Sequence, residues 1–102
     1  MSILVPDNRV VVYAKSKCNY CTMALDLLNE FNVDIEYNNI ESGLDPNEYK
    51  NIVNQLEKIT GSRTFPQIFS NGKYIGGYID IQKKYMFDVD ELIQDLTIST
   101  VC

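Results

Sequence analysis

The sequence predicts a single α/β domain built on a four-stranded mixed sheet with helices on both faces. Three observations carry this. Residues 10–14, VVVYA, form a continuous apolar run rich in β-branched side chains, which reads as a strand buried on both faces. A helical pattern and then the alternating DIEYN of residues 34–38 complete a strand-helix-strand unit, with parallel strands and a right-handed crossover. Asn71-Gly72 joins two short apolar runs, FPQIFS and KYIGG. That dipeptide is a hairpin signal, so the second half of the sheet is antiparallel.

The elements follow in order. In the first helix Met23, Leu27, Leu28 and Phe31 fall at helical spacing and form its apolar stripe. The second helix is the best signalled, in DPNEYKNIVNQLEKITG. Asp45 suits the N-cap, Pro46 the first turn, Glu48 the capping-box position and Gly61 the C-terminal cap. Its buried stripe is Tyr49, Ile52, Val53, Leu56 and Ile59. The tail holds a helix from about Gly77 to Tyr85 and another beginning at Asp88, with Val89, Leu92, Ile93 and Leu96 on one face. The order is β-α-β-α-β-β-α-α. A Cys-x-x-Cys pair beside a βαβ unit is the cue for a thioredoxin-like fold.

Composition limits the function classes. A chain of 102 residues, 45% hydrophobic, suits one domain with one core and needs no structural metal. Residues 1–8 read as a short N-terminal tail, and there are no repeats or long linkers. No apolar run approaches the roughly 18 residues of a membrane span. The opening MSILVPDNRVVVY lacks a basic stretch followed by a long apolar one, so no export signal and a cytoplasmic location are expected. Three cysteines are too few for a secreted disulfide framework. A net charge of −5 argues against nucleic-acid binding. Yet Arg9, Lys15 and Lys17 flank the cysteine pair, and Arg63 and Lys73 lie in the other motif-rich stretch. A locally basic site on an acidic protein suits a small anionic ligand.

The pair itself, CNYC at residues 18–21, could be half a metal site, a disulfide staple, a redox centre or a chance adjacency. A zinc site is disfavoured because the chain has no histidine and one further cysteine, Cys102. Cys18 falls where the first strand gives way to the first helix. Free N–H groups, the helix dipole and the two nearby lysines all favour the thiolate there. Cys21 lies three residues on, one turn inside, where it can bond to Cys18 but is more buried. Depressing a thiol's pKa raises its anionic fraction and lowers its nucleophilicity almost in step, but speeds its departure as a leaving group. That suits a sulfur that accepts a group and passes it to an external thiol.

With these residues in place, the chain resembles the glutaredoxins. YAKSKCNYC resembles the family's strand-lysine-CPYC stretch, RTFPQIF its T-V-P segment and NGKYIGGYID its Gly-Gly-x-x-Asp segment, in family order from about residue 9 to 97. The resemblance implies Cys18 as nucleophile and Cys21 as resolving thiol. It implies a glutathione site in which Lys15 pairs with the glycyl carboxylate and Tyr20 lines the groove. Phe65, before the family's cis-proline Pro66, would pair its backbone with the cysteinyl part. Gln67 would assist at the glycyl end, and Gly77 and Asp80 would hold the γ-glutamyl end. Asp80 could equally cap the helix that follows it, and Thr64 would shape the proline loop. Tyr13 and Phe69 fit the core.

The activity so implied is glutathione-dependent thiol-disulfide exchange by a monomer, with glutathione as co-substrate and no tightly bound cofactor. Glutathionylated or disulfide-containing proteins would be its partners, ribonucleotide reductase being a common client of the family. One departure stands out: Asn19 occupies the position where dithiol members usually have proline. Members lacking that proline can hold a [2Fe–2S] cluster between two subunits with two glutathiones, so a cluster-binding dimer using Cys18 is the alternative. A thioredoxin-type reductase is disfavoured because the chain has no tryptophan. Cys102, with no motif role, is expected to be an exposed thiol.

Overall fold

The computed structural model describes residues 9–97; the expected tail at residues 1–8 and Cys102 lie outside the described residues. The elements run β1 (Val10–Ala14), α1 (Asn19–Asn29), β2 (Ile35–Asn39), α2 (Pro46–Thr60), β3 (Gln67–Ser70), β4 (Lys73–Gly76), α3 (Tyr78–Phe87) and α4 (Val89–Leu96). The sheet order is β2-β1-β3-β4. β1 pairs parallel with β2, Val10 opposite Ile35, and antiparallel with β3, Val10 opposite Ser70. β3 and β4 form the expected hairpin. Asn71 and Gly72 both take positive φ, 54° and 79°, as a two-residue turn of this kind requires.

Every residue of β1 is buried, which an apolar strand without alternation demands. The core gathers β1 and β3 with Ala24, Leu27 and Leu28 of α1, Val53 and Leu56 of α2, Ile81 of α3, and Leu92 and Leu96 of α4. Tyr13 and Phe69 lie in it, edge to face at 5.8 Å. The caps of α2 form as expected. Asp45 accepts the Glu48 N–H at 2.8 Å, and Gly61 closes the helix at φ 77°. The Glu48 N–H donated to the Asp45 carboxylate holds its pKa below the usual range.

Four expected core positions are exposed. Met23 of α1 is 43% exposed. It lies on the flank of the helix that faces the cavity described below. Ile59 of α2 is 53% exposed. The last turn of α2 meets the sheet through Thr60, whose hydroxyl lies 3.2 Å from Gln67 Oε1 of β3, and Ile59 lies on the solvent side of that turn. Val89 and Ile93 of α4 are also exposed, because that helix packs chiefly on α3, which covers only a narrow stripe centred on Leu92 and Leu96.

Candidate active site

The loop from β1 to α1 fixes the cysteines. Lys17 takes φ 55° and turns the chain, while the Ser16 N–H donates to Glu41 and its hydroxyl accepts from Asn39. The loop is thereby tied to the end of β2. Cys18 becomes the N-cap of α1 in an extended conformation, and its Sγ accepts the Cys21 N–H at 3.1 Å. Sulfur thus occupies the place of a capping oxygen. An N–H donated to sulfur at the positive end of a helix favours the anion once the thiol is reduced.

The two sulfurs are bonded to each other, with Cα atoms 5.2 Å apart. Their environments differ. Cys21 is 0% exposed and belongs to the core, whereas Cys18 is only half-buried. An external thiol can therefore reach Cys18 and not Cys21.

Cys18 opens into a cavity of about 880 Å³. Lys15 and Tyr20 border it on the α1 side, and Phe65 and Pro66 face them from the loop before β3. The Phe65 carbonyl oxygen is 3.8 Å from the Cys18 sulfur, and the Phe65–Pro66 peptide bond is cis. Gly77 and Asp80 close the cavity at the start of α3. Asp80 Oδ2 accepts the Gly77 N–H at 2.9 Å, so the helix-capping role is filled and the other carboxylate oxygen remains for a ligand. Gly77 is a close-approach site, since a Cβ there would lie 3.2 Å from the Pro66 carbonyl oxygen.

Gln67 is the exception among the residues read from the sequence. It is 0% exposed and does not border the cavity. Its Nε2 donates to the Ser62 and Thr64 carbonyls at 2.8 and 3.1 Å, and its Oε1 accepts from the Thr60 hydroxyl at 3.2 Å. As the first residue of β3 its side chain turns toward the end of α2, where it pins the loop leading to Phe65. Thr64 takes part in the same loop through a 2.9 Å contact between its hydroxyl and that of Ser62.

Residues not assigned to the site from the sequence also border the cavity. Tyr78 stacks on Tyr20, with ring centroids 5.6 Å apart and planes 15° from parallel. Arg63 is bound to Asn54 and Glu57 of α2, each at 3.0 Å. Met23 and Tyr74 border it too, as do Asn19, Ser62 and Ile79. Tyr78 was within reach of sequence reasoning, as the first residue of a helix that begins at Gly77. Tyr74 carried no such signal.

The glutaredoxin family model matches residues 10–75 of the chain. The chain belongs to the glutaredoxin family. The bond between Cys18 and Cys21 makes it a dithiol glutaredoxin, with the thioredoxin-like fold expected from the strand order. It is 45% identical over 80 residues to human glutaredoxin-2, mitochondrial, covering 78% of this chain and 46% of that protein. It is 40% identical over 85 residues to glutaredoxin-1 of Gallus gallus, covering 76% and 73%. The chain spans about half the length of the mitochondrial relatives it matches. A buckwheat glutaredoxin solved as a glutathione complex superposes with a TM-score of 0.78 at 28% identity, over 91% of this chain and 80% of that one. The holo form of glutaredoxin C1 from Populus tremula x tremuloides gives 0.75 at 27%, over 88% and 87%.

As to a cluster, the described residues contain no group of three or more cysteine, histidine or acidic side chains that could hold a metal ion. With Cys21 in the core, Cys18 is the one accessible cysteine sulfur among the described residues.

Proposed function

We propose that this glutaredoxin is a glutathione-dependent thiol-disulfide oxidoreductase acting on glutathione mixed disulfides and on protein disulfides. One observation carries the reading: the Cys18 sulfur caps α1, is bonded to a buried partner, and opens on a cavity walled by the Phe65 backbone. In the monothiol route the Cys18 thiolate attacks the glutathione sulfur of a mixed disulfide. The bond to the substrate sulfur breaks, and the substrate thiolate leaves and takes up a proton. A second glutathione thiolate attacks the glutathione held on Cys18, releasing oxidised glutathione and the Cys18 thiolate. In net, one free glutathione is consumed: it joins the glutathione of the mixed disulfide as oxidised glutathione, and the substrate sulfur is released as its thiol. In the dithiol route Cys18 attacks a protein disulfide, and Cys21 displaces the protein from Cys18, leaving the Cys18–Cys21 bond.

Lys15 and Asp80 both border the cavity into which the cysteine opens. Their charges match the glycyl carboxylate and the γ-glutamyl ammonium of glutathione, and Phe65, whose carbonyl oxygen is 3.8 Å from the Cys18 sulfur, would offer backbone groups to the cysteinyl part. A glutathione pool is the requirement this reaction sets on the compartment. Turnover of a small glutathione mixed disulfide by cysteine variants is the test. Cys18→Ser abolishes both routes, whereas Cys21→Ser retains deglutathionylation and loses reduction of protein disulfides. A Cys21→Ser protein inactive toward glutathione mixed disulfides, or an active Cys18→Ser protein, overturns the reading.

A further inference from the structure

Tyr74 lies in β4, with its ring on Phe69 at a centroid distance of 5.4 Å, and it borders the cavity together with Ser62, Thr64 and Asp80. The packed ring leaves the phenol little freedom. Burial, with the Asp80 carboxylate acting on it and the Ser62 side chain opposing, pushes the Tyr74 pKa up. At neutral pH the group is thus a neutral hydroxyl, able to donate. The phenol shares a side-chain hydrogen bond with Ser62; with that serine donating, its own O–H remains to be given. The Ser62 and Thr64 hydroxyls bond to each other at 2.9 Å, and Asp80 Oδ2 is held by the Gly77 N–H.

The γ-glutamyl end of glutathione carries an ammonium and a carboxylate on the same carbon. Asp80 attracts the first and repels the second. A carboxylate bound beside Asp80 therefore needs a donor that brings no positive charge to weaken the hold of Asp80 on the ammonium. A neutral phenol on a fixed ring meets that need. We propose that Tyr74 is a substrate-recognition residue whose hydroxyl donates to the γ-glutamyl α-carboxylate while Asp80 holds the ammonium. This rests on the glutathione reading above and adds a specificity determinant to it.

The test compares two mixed disulfides with 2-mercaptoethanol. One carries glutathione. The other carries 4-aminobutyryl-cysteinylglycine, which keeps the ammonium and the chain length but lacks the carboxylate. The quantity read is the ratio of kcat/KM for the two. Wild type prefers glutathione, and Tyr74→Phe, which keeps the ring on Phe69, lowers that preference about 3- to 10-fold, chiefly through KM. Tyr74→Leu, with thermal melts to verify folding of both variants, lowers the preference to a similar degree. A residue that only packs would reduce both rates together, so an unchanged ratio in Tyr74→Phe overturns the inference. Failure of the wild type to turn over the glutathione substrate overturns the oxidoreductase reading instead.

Discussion

Gly76→Ala sets backbone conformation and site geometry against each other at one atom. Gly76 ends β4 at φ 121°, and a Cβ there would lie 2.5 Å from Asp80 Oδ2 and 2.6 Å from Asp80 Cβ. Rotating the carboxylate away cannot relieve the second contact, because Asp80 Cβ is fixed to the helix. The first turn of α3 must move, and the Asp80 to Gly77 hydrogen bond goes with it. Gly61→Ala is the control. It also places a side chain at positive φ, 77°, but meets nothing within 4 Å. Backbone strain costs about 1–2 kcal/mol in Gly61→Ala, whose φ lies near the left-handed helical region, and at least as much in Gly76→Ala, whose φ lies beyond it. The clash and the lost helix cap add at least about 1 kcal/mol to Gly76→Ala, which for a domain of this size is a further ~4–8 °C in Tm. Thermal melts read that difference. Steady-state kinetics with a glutathione mixed disulfide read the site: KM rises in Gly76→Ala with little change in kcat, and stays at the wild-type value in Gly61→Ala. Equal melting points and equal KM in the two variants would refute the reasoning.

Two further outcomes follow from the same structure. Gln67→Leu keeps the volume of the buried side chain but leaves the Ser62 and Thr64 carbonyls without their donor; it lowers stability by about 1–3 kcal/mol in urea titration and raises KM, because the loop carrying Phe65 loses its tie. For Asp45, whose folded pKa lies below its unfolded value, the linked stability is present above the unfolded pKa and is lost as pH falls through the folded one. Asp45→Asn still caps α2 but does not titrate, so acid titration of stability shows a shallower fall in the variant than in wild type, and parallel curves would contradict the assignment.

Much of the site was legible because its parts are local. An N-cap needs a residue and an amide three positions on, so Asp45 with Glu48 and Cys18 with Cys21 could both be read along the chain. The Asn71-Gly72 turn needs only its own two φ angles. Gln67 and Arg63 show the limit. The run FPQIFS is apolar almost throughout, so no alternation says which way each side chain points. A shift of one residue in a strand exchanges the faces. Pairing of β3 with β1, Tyr13 opposite Gln67, turns the glutamine away from the cavity, and Arg63 borders it from the loop before the strand.

The amino-acid order alone therefore settled which segments become strands and helices, and that a thiol begins α1. It did so because helix caps, two-residue turns and apolar periodicity are decided within a few neighbouring residues. Only the folded chain decided what surrounds that thiol. The Phe65 carbonyl is 47 positions from Cys18, and Tyr78 is farther still from Tyr20, which it meets ring to ring. Contacts of that kind depend on how the sheet is ordered and how two helices pack against it, and no short stretch of sequence holds that information.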